Sequence, residues 1–317
     1  MSLRIAFYGV GDRARPYLDA LARRREVELC AVCDIDRRSA EQTAAGWGAQ
    51  VFLSYEPMLQ QAQPDALWIC VPPHLQGDVL LRAVQQRIPF FIEAPGAMNF
   101  DRARQYARLV SEARLVSAVG FPAHHVDITR EGREYLGTNV VPLALGWWLR
   151  PAHATSATSA LALLWNEACH LVDLLRYFCG AVASVQACPA GPGEEPGGLV
   201  VQLRFVRGTV GVLTLATFPR PEQRVELELL GEGWTLTLDE GPTWLRVAEH
   251  DKTTTLRSLT DLASEQVGAF LQAVATGDPS LVPSSYADAL ATLTICDAAV
   301  RSAREATAIN LTEPERS

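Results

Sequence analysis

Apolar residues follow two different patterns in the two halves of the chain. Over the first 120 residues, short apolar-rich runs at 3–8, 27–32, 66–71, 90–93 and 115–121, of which 66–71 is unbroken, alternate with stretches of helical spacing at 16–24, 37–46, 56–61, 75–86 and 100–113. A weaker run at 50–53 fits the same series. Unbroken runs of this length are what strands buried on both faces look like. Strands alternating with helices predict a doubly wound parallel sheet, whose ligands bind at the carboxyl ends of the strands. Gly9, Asp34, Pro72 and Glu93 all fall at such ends.

The second half reads differently. A strand at 140–149 and a helix at 166–178 are followed by strand-like runs at 183–187, 199–205, 209–217, 224–230, 234–238 and 244–248. Turn residues such as Arg207-Gly208 and Gly231-Glu232-Gly233 separate them, which predicts a mostly antiparallel meander. The Pro- and Gly-rich stretch 189–198 reads as an exposed hairpin loop, and two helices follow at 259–276 and 284–306. The expected organisation is a dinucleotide-binding α/β domain of Rossmann type at 1–121. An α+β domain with a large open sheet, for substrate and oligomerisation, follows at 122–317. The helix at 284–306 is expected to pack back on the first domain.

The first strand runs straight into Gly9-Val10-Gly11-Asp12-Arg13-Ala14, a Gly-x-Gly-x-x-Ala turn opening a helix. Gly9 permits the tight turn, Gly11 lets backbone approach a pyrophosphate, and Ala14 lets helix and strand pack closely. The helix start then offers N–H groups to the phosphates. Asp34 ends the second strand about 20 to 25 residues further on, where an acid grips a ribose diol. NAD is the expected cofactor; NADP is the alternative, because Arg37 and Arg38 follow closely.

Composition narrows the class. A chain of 317 residues, 48% hydrophobic and 20% charged, reads as a globular protein of two domains. Its net charge of −8 argues against nucleic acid as the main partner. No apolar run approaches the ~20 residues of a membrane span, and 3–8 is too short for the core of a signal peptide. A cytoplasmic protein is expected. Cys30 and Cys33 sit three apart on a strand and so point to opposite faces, which disfavours a redox or zinc pair. No His/Cys/Asp cluster has ligand spacing, so no metal is expected. Lys252 is the only lysine.

Four motifs in order carry a resemblance: the glycine turn, Val71-Pro72-Pro73, Glu93-Ala94-Pro95, and His170-Leu171-Val172-Asp173. The helical stretches 270–277 and 286–290 continue it. Together they resemble the glucose-fructose oxidoreductase and inositol dehydrogenase family (Gfo/Idh/MocA). The resemblance implies an NAD(P) domain, an open-sheet domain joining subunits into a homodimer or homotetramer, and oxidation of hydroxyls on sugars, cyclitols or related polyols. It also implies a cis Ala94–Pro95 bond. The family usually carries Glu-Lys-Pro, with its lysine on the reacting hydroxyl; this chain has Ala94 there. The family also usually places an acid four residues before the helix histidine, where this chain has Asn166.

On this reading His170 is the catalytic base, since imidazole titrates near neutral pH, and Asp173 and Asn166 complete the catalytic group. Gly9, Gly11, Asp12, Arg13, Asp34, Arg38, Val71, Pro72, Glu93 and Ala94 are the expected cofactor-binding residues. His124, His125 and Trp165 are weaker substrate candidates. His74 and Gln76 are expected near the cofactor cleft. Trp147 and Trp148 alternate faces on a strand and read as core or oligomer contacts. A second function stays open: a catalytically impaired nucleotide-binding homologue acting as a sensor or complex partner. Two positioned groups are missing, and each is typically worth 10²- to 10⁴-fold.

Overall fold

The computed structural model describes residues 2–137, 139–149, 157–191, 193–217, 223–239 and 241–311. The chain forms two compact units, Met1–Phe121 with Asp261–Leu290, and Pro122–Thr260 with Ala291–Ser317.

In the first unit β1 (Leu3–Tyr8), β2 (Val27–Cys33), β3 (Gln50–Phe52), β4 (Ala66–Ile69), β5 (Phe90–Ile92) and β6 (Ser117–Val119) form one sheet in the order β3-β2-β1-β4-β5-β6. Every pairing is parallel. The helices α1 (Arg15–Ala22), α2 (Arg37–Ala45), α3 (Tyr55–Ala62), α4 (Pro73–Gln85) and α5 (Phe100–Ala113) make the crossovers. Local chemistry fixes several starts. Pro lies in the first turn of α1 and α4, and the side chains of Asp36 and Asn99 cap α2 and α5. Trp68 anchors the core, stacked on Phe7 and Phe91 at centroid distances of 5.5 and 5.8 Å.

The helix Leu262–Thr276 belongs to this unit. Its Phe270 meets Trp68 edge-on at 4.9 Å, and its Gln266 Nε2 donates to the Phe121 carbonyl. Tyr286 joins it too, donating its hydroxyl to the Gly96 carbonyl at 2.8 Å. Division at residue 121 would assign the whole of 122–317 to the second domain, but the contacts group Asp261–Leu290 with the first. The reason is the apolar surface of β4 and β5, which Phe270 covers.

The second unit is built on a nine-stranded sheet. Its elements are α6 (Asp127–Leu136), β7 (Leu143–Leu149), α7 (Ala160–Asn166), α8 (Cys169–Cys179), β8 (Val182–Ala190), β9 (Gly198–Phe205), β10 (Val210–Ala216), β11 (Arg224–Gly231), β12 (Trp234–Asp239), β13 (Trp244–Glu249) and β14 (Lys252–Arg257). After α9 (Leu262–Thr276), α10 (Tyr286–Glu305) passes into this unit and β15 (Ile309–Asn310) closes the sheet. The order is β14-β13-β12-β11-β7-β10-β9-β8-β15, antiparallel except for β7 beside β10. Along β7, Ala144, Gly146 and Trp148 are buried while Leu143, Leu145, Trp147 and Leu149 are half-buried. Gly146 belongs to the helix-covered face: a Cβ there would lie 3.0 Å from Leu171 of α8. The opposite face carries Leu143, Leu145 and Trp147 beside Val210, Val212 and Leu230, with Arg224 stacked on Trp147 at 3.4 Å.

One carboxylate pins this unit. Asp127, at the start of α6, accepts hydrogen bonds from the Ser258 hydroxyl at 2.5 Å and the Leu259 N–H at 3.0 Å, while its own N–H donates to Thr260 Oγ1. These bonds hold its pKa down to about 2, although burial opposes them. Because the folded pKa lies below the ordinary value near 3.9, Asp127 stabilises the protein above about pH 4. That contribution is lost as pH falls towards 2. Asp127→Ala is expected to cost about 1 to 3 kcal/mol at pH 7, read as a lower urea midpoint. An unchanged midpoint contradicts this.

Candidate functional site

The glycine turn sits against the end of β4. Gly9 has φ +88°, and a Cβ there would come within 2.6 Å of the Cys70 carbonyl oxygen. Gly11 is the opposite case: a Cβ there meets nothing within 4 Å. The loop is therefore packed on its inner side and open above Gly11. Its inner donors are used, Gly9 N–H by the Cys33 carbonyl and Ala14 N–H by the Gly11 carbonyl. Open space above a glycine at a helix start is the shape a pyrophosphate needs, so these residues fit a dinucleotide.

Asp34 follows β2 and braces this turn. Its Oδ2 accepts the Val10 N–H and its Oδ1 the Asp36 N–H, both at 2.9 Å. Each oxygen keeps acceptor capacity for a ribose hydroxyl. Arg37 and Arg38 are exposed, and Arg37 lies 3.3 Å from Glu41.

A buried polar group lies where β4 and β5 end. Glu93 is buried, with Oε2 3.7 Å from Arg13 Nη1, and Tyr17, whose hydroxyl donates to Gln266 Oε1 at 3.4 Å, lies close enough to act on its carboxylate. Burial raises the Glu93 pKa, with Tyr17 and Arg13 opposing. Cys70, also buried, has its thiol pKa pushed well up, by burial first and the Glu93 charge second. Gln76, fully buried on α4, donates from Nε2 to the carbonyls of Val71 and Glu93, both at 3.1 Å. It ties the Pro72-Pro73 turn to the Ala94–Pro95 turn. The Ala94–Pro95 bond is cis, as the resemblance implies. Asp12, Pro72 and His74 are exposed, and Val71 and Ala94 half-buried.

In the second unit the helix expected at 166–178 starts only at Cys169, and a separate helix ends at Asn166. Asn166 ends α7, Glu167 turns away at φ −132°, ψ −57°, and α8 starts at Cys169. Asn166 and His170 therefore do not share a helix. The N–H groups of both Glu167 and Ala168 reach the Leu163 carbonyl, which closes α7 and lets α8 start afresh. Asn166 is exposed, Trp165 buried, and His170 half-buried in the first turn of α8.

Asp173 is fully buried. Its Oδ1 accepts Thr292 Oγ1 at 2.9 Å and lies 3.5 Å from Arg176 Nη1, which itself donates to Thr292 at 2.7 Å. This triad locks α8 to α10. His124 is half-buried, edge-on to the Tyr177 ring at 5.0 Å. His125 is buried, and burial, with His124 and Arg130, pushes its pKa down to about 4. Tyr17, Arg176 and Thr292 escaped sequence reasoning. Tyr17 and Thr292 are far along the chain from Glu93 and Asp173, and Arg176, one helical turn from Asp173, is marked by no motif.

The first unit is similar to known proteins. The profile of an oxidoreductase family with an NAD-binding Rossmann fold (GFO_IDH_MocA) matches residues 3–121. An inositol 2-dehydrogenase of Arthrobacter sp. (strain FB24) is 30% identical, over 68% of each chain. The chain belongs to the Gfo/Idh/MocA family. It is thus an oxidoreductase with an NAD-binding Rossmann fold. The inositol 2-dehydrogenase of Rhizobium meliloti (strain 1021) is 23% identical over 98% of this chain and all of its own length. Levoglucosan dehydrogenase, solved with NADH and L-sorbose, superposes with a TM-score of 0.85 at 17% identity, over 99% of this chain and 100% of its own. That likeness shows the fold. Among the described residues no helix is long and apolar enough to cross a membrane.

Proposed function

We propose that this family member oxidises a hydroxyl-bearing carbon of a sugar, cyclitol or related polyol. The observation that carries the reading is the match to an inositol 2-dehydrogenase along the full length of both chains. NAD supplies the hydride acceptor when bound. Gly9, Gly11, Asp12 and Arg13 would hold its pyrophosphate and Asp34 its ribose diol. Val71, Pro72, Glu93 and Ala94 would border it, with Arg38 near the ribose.

His170 takes the hydroxyl proton as the carbon gives up its hydride. Asp173 is a positioning residue: its triad with Arg176 and Thr292 fixes the helix that carries His170. Asn166, exposed at the end of α7, offers an amide to the substrate's other hydroxyls. His124, His125 and Trp165 are the remaining candidates for contact with the substrate. Ala94 offers only a methyl group where the family usually has lysine, so His170 carries the proton transfer without that ammonium. Assaying NAD reduction over a panel of polyols, inositols and amino sugars tests the proposal. Turnover of at least one supports it; none contradicts it.

NAD is expected to bind about tenfold or more tighter than NADP, because Asp34 repels a 2′-phosphate. The exposed Arg37 and Arg38 soften the preference without reversing it. Titration with both cofactors checks this, and tighter NADP binding contradicts it. We propose further that the open sheet face at Leu143, Leu145 and Trp147 joins subunits into a homodimer or homotetramer, since no described helix covers it. Light scattering at micromolar concentration is expected to give at least a dimer, and a monomer overturns the assignment.

A further inference from the structure

Arg13 and Glu93 make an unequal pair. Arg13 lies in the glycine turn with 73% of its side chain exposed, and Glu93 ends β5 with 11% exposed. Their closest atoms are 3.7 Å apart, beyond hydrogen-bond range, so Arg13 is held by charge alone. A guanidinium prefers bidentate hydrogen bonds to phosphate oxygens. Arg13 stands two residues from Gly11, where the turn is open.

We propose that the pyrophosphate of NAD draws Arg13 away from Glu93, and that Glu93 takes up a proton from solvent as the cofactor binds. The inference rests on the NAD assignment to this turn. No electron moves: one carboxylate oxygen gains one proton. The groups facing Glu93 are Arg13 from the glycine turn, Tyr17 from α1 and Cys70 from the end of β4. From α4, Gln76 touches only its backbone carbonyl, and Gly120 after β6 adds no charge. Arg13 is thus the one cation there among the described residues. Tyr17 and Cys70 stay neutral at ordinary pH, since burial raises both their pKa values. Losing Arg13 leaves a buried carboxylate beside Tyr17 with no cation among the described residues, and burial favours its neutral form.

The sign follows from linkage. If the bound protein holds more protons than the free one, NAD binds tighter as pH falls. One full proton corresponds to about tenfold in Kd per pH unit; a fraction of a proton gives a shallower slope. The test is calorimetric titration with NAD from pH 5 to 8, repeated in two buffers of different ionisation enthalpy. The wild type is expected to take up a measurable fraction of a proton, at most about one, per NAD, with a Kd that rises with pH. Glu93→Gln should bind NAD with no uptake and a flat Kd. Arg13→Gln, a change at an exposed position, should bind more weakly and also without uptake, because Glu93 then has no cation to lose when NAD binds. Wild-type binding without uptake, or uptake that survives in either variant, overturns the proposal. Absence of any binding heat in the wild type overturns the NAD assignment as well, so the two failures are distinct.

Discussion

His170→Ala is expected to lower kcat/KM for the preferred alcohol by about 10²- to 10⁴-fold, the usual worth of one positioned proton-transfer group. That equals about 3 to 5 kcal/mol of barrier. With alanine at 94, no lysine shares the task; the chain's single lysine, Lys252, is exposed on β14. NAD affinity should hold, because the residues proposed to bind the cofactor all belong to the first unit. The fold should hold too, since α8 is fixed by Asp173, Arg176 and Thr292 rather than by a half-buried imidazole. Asp173→Asn should act more gently on chemistry and more strongly on melting, as a positioning residue would. Steady-state rates, a melting curve and an NAD titration separate these effects. Unchanged turnover in His170→Ala would mean that the proton leaves by another route.

The glycine turn gives the second large effect, and its two glycines should fail differently. Gly9→Ala must hold φ +88° and place a methyl 2.6 Å from the Cys70 carbonyl oxygen and 2.8 Å from its carbon. Those atoms are backbone at the end of a central strand and cannot rotate aside. The left-handed conformation alone costs about 1 to 2 kcal/mol, and the overlap adds to it. Gly9→Ala is expected to lose about 3 kcal/mol or more of stability together with NAD binding. Gly11→Ala meets no protein atom within 4 Å. Its stability should change by less than about 0.5 kcal/mol, while NAD affinity drops because the methyl occupies the space over the turn. Urea melts and NAD titrations of the two variants check this. Equal losses of stability would contradict the packing described for the turn.

The parallel sheet was legible because strands buried on both faces appear as apolar-rich runs, unbroken at 66–71, that alternate with helical spacing. The glycine turn and Asp34 were legible for the same reason: their spacing is set by one strand-helix-strand unit. The break at Glu167 was not. Residues 160–179 hold no proline or glycine, and apolar residues run through both helices, so nothing in the pattern marks where Ala168 N–H turns back to Leu163. Helix α6 was hidden by its inward face, Ile128, Thr129, Gly132 and Leu136, which gives little apolar contrast. Strand β14 is exposed at every residue, so it shows no alternation. The group formed by Arg13, Tyr17, Cys70 and Glu93 draws on segments up to 80 residues apart. Only the strand order β1-β4-β5 brings them together. The place of α9 depended on a gap over Trp68 and Phe91 that no local spacing records.

The central claim is that a hydroxyl-bearing carbon of a polyol or sugar gives its hydride to NAD with the help of His170. The most direct measurement uses a substrate from the polyol and sugar panel with deuterium on its carbinol carbons. The native protein and His170→Ala are incubated with it and NAD, and deuterium on the reduced nicotinamide is read by mass spectrometry. The account predicts deuterium transfer by the native protein, and transfer slowed at least about a hundredfold in the variant. Tight NAD binding with no deuterium transferred from any panel member would contradict it, and would leave a nucleotide-binding sensor as the better description.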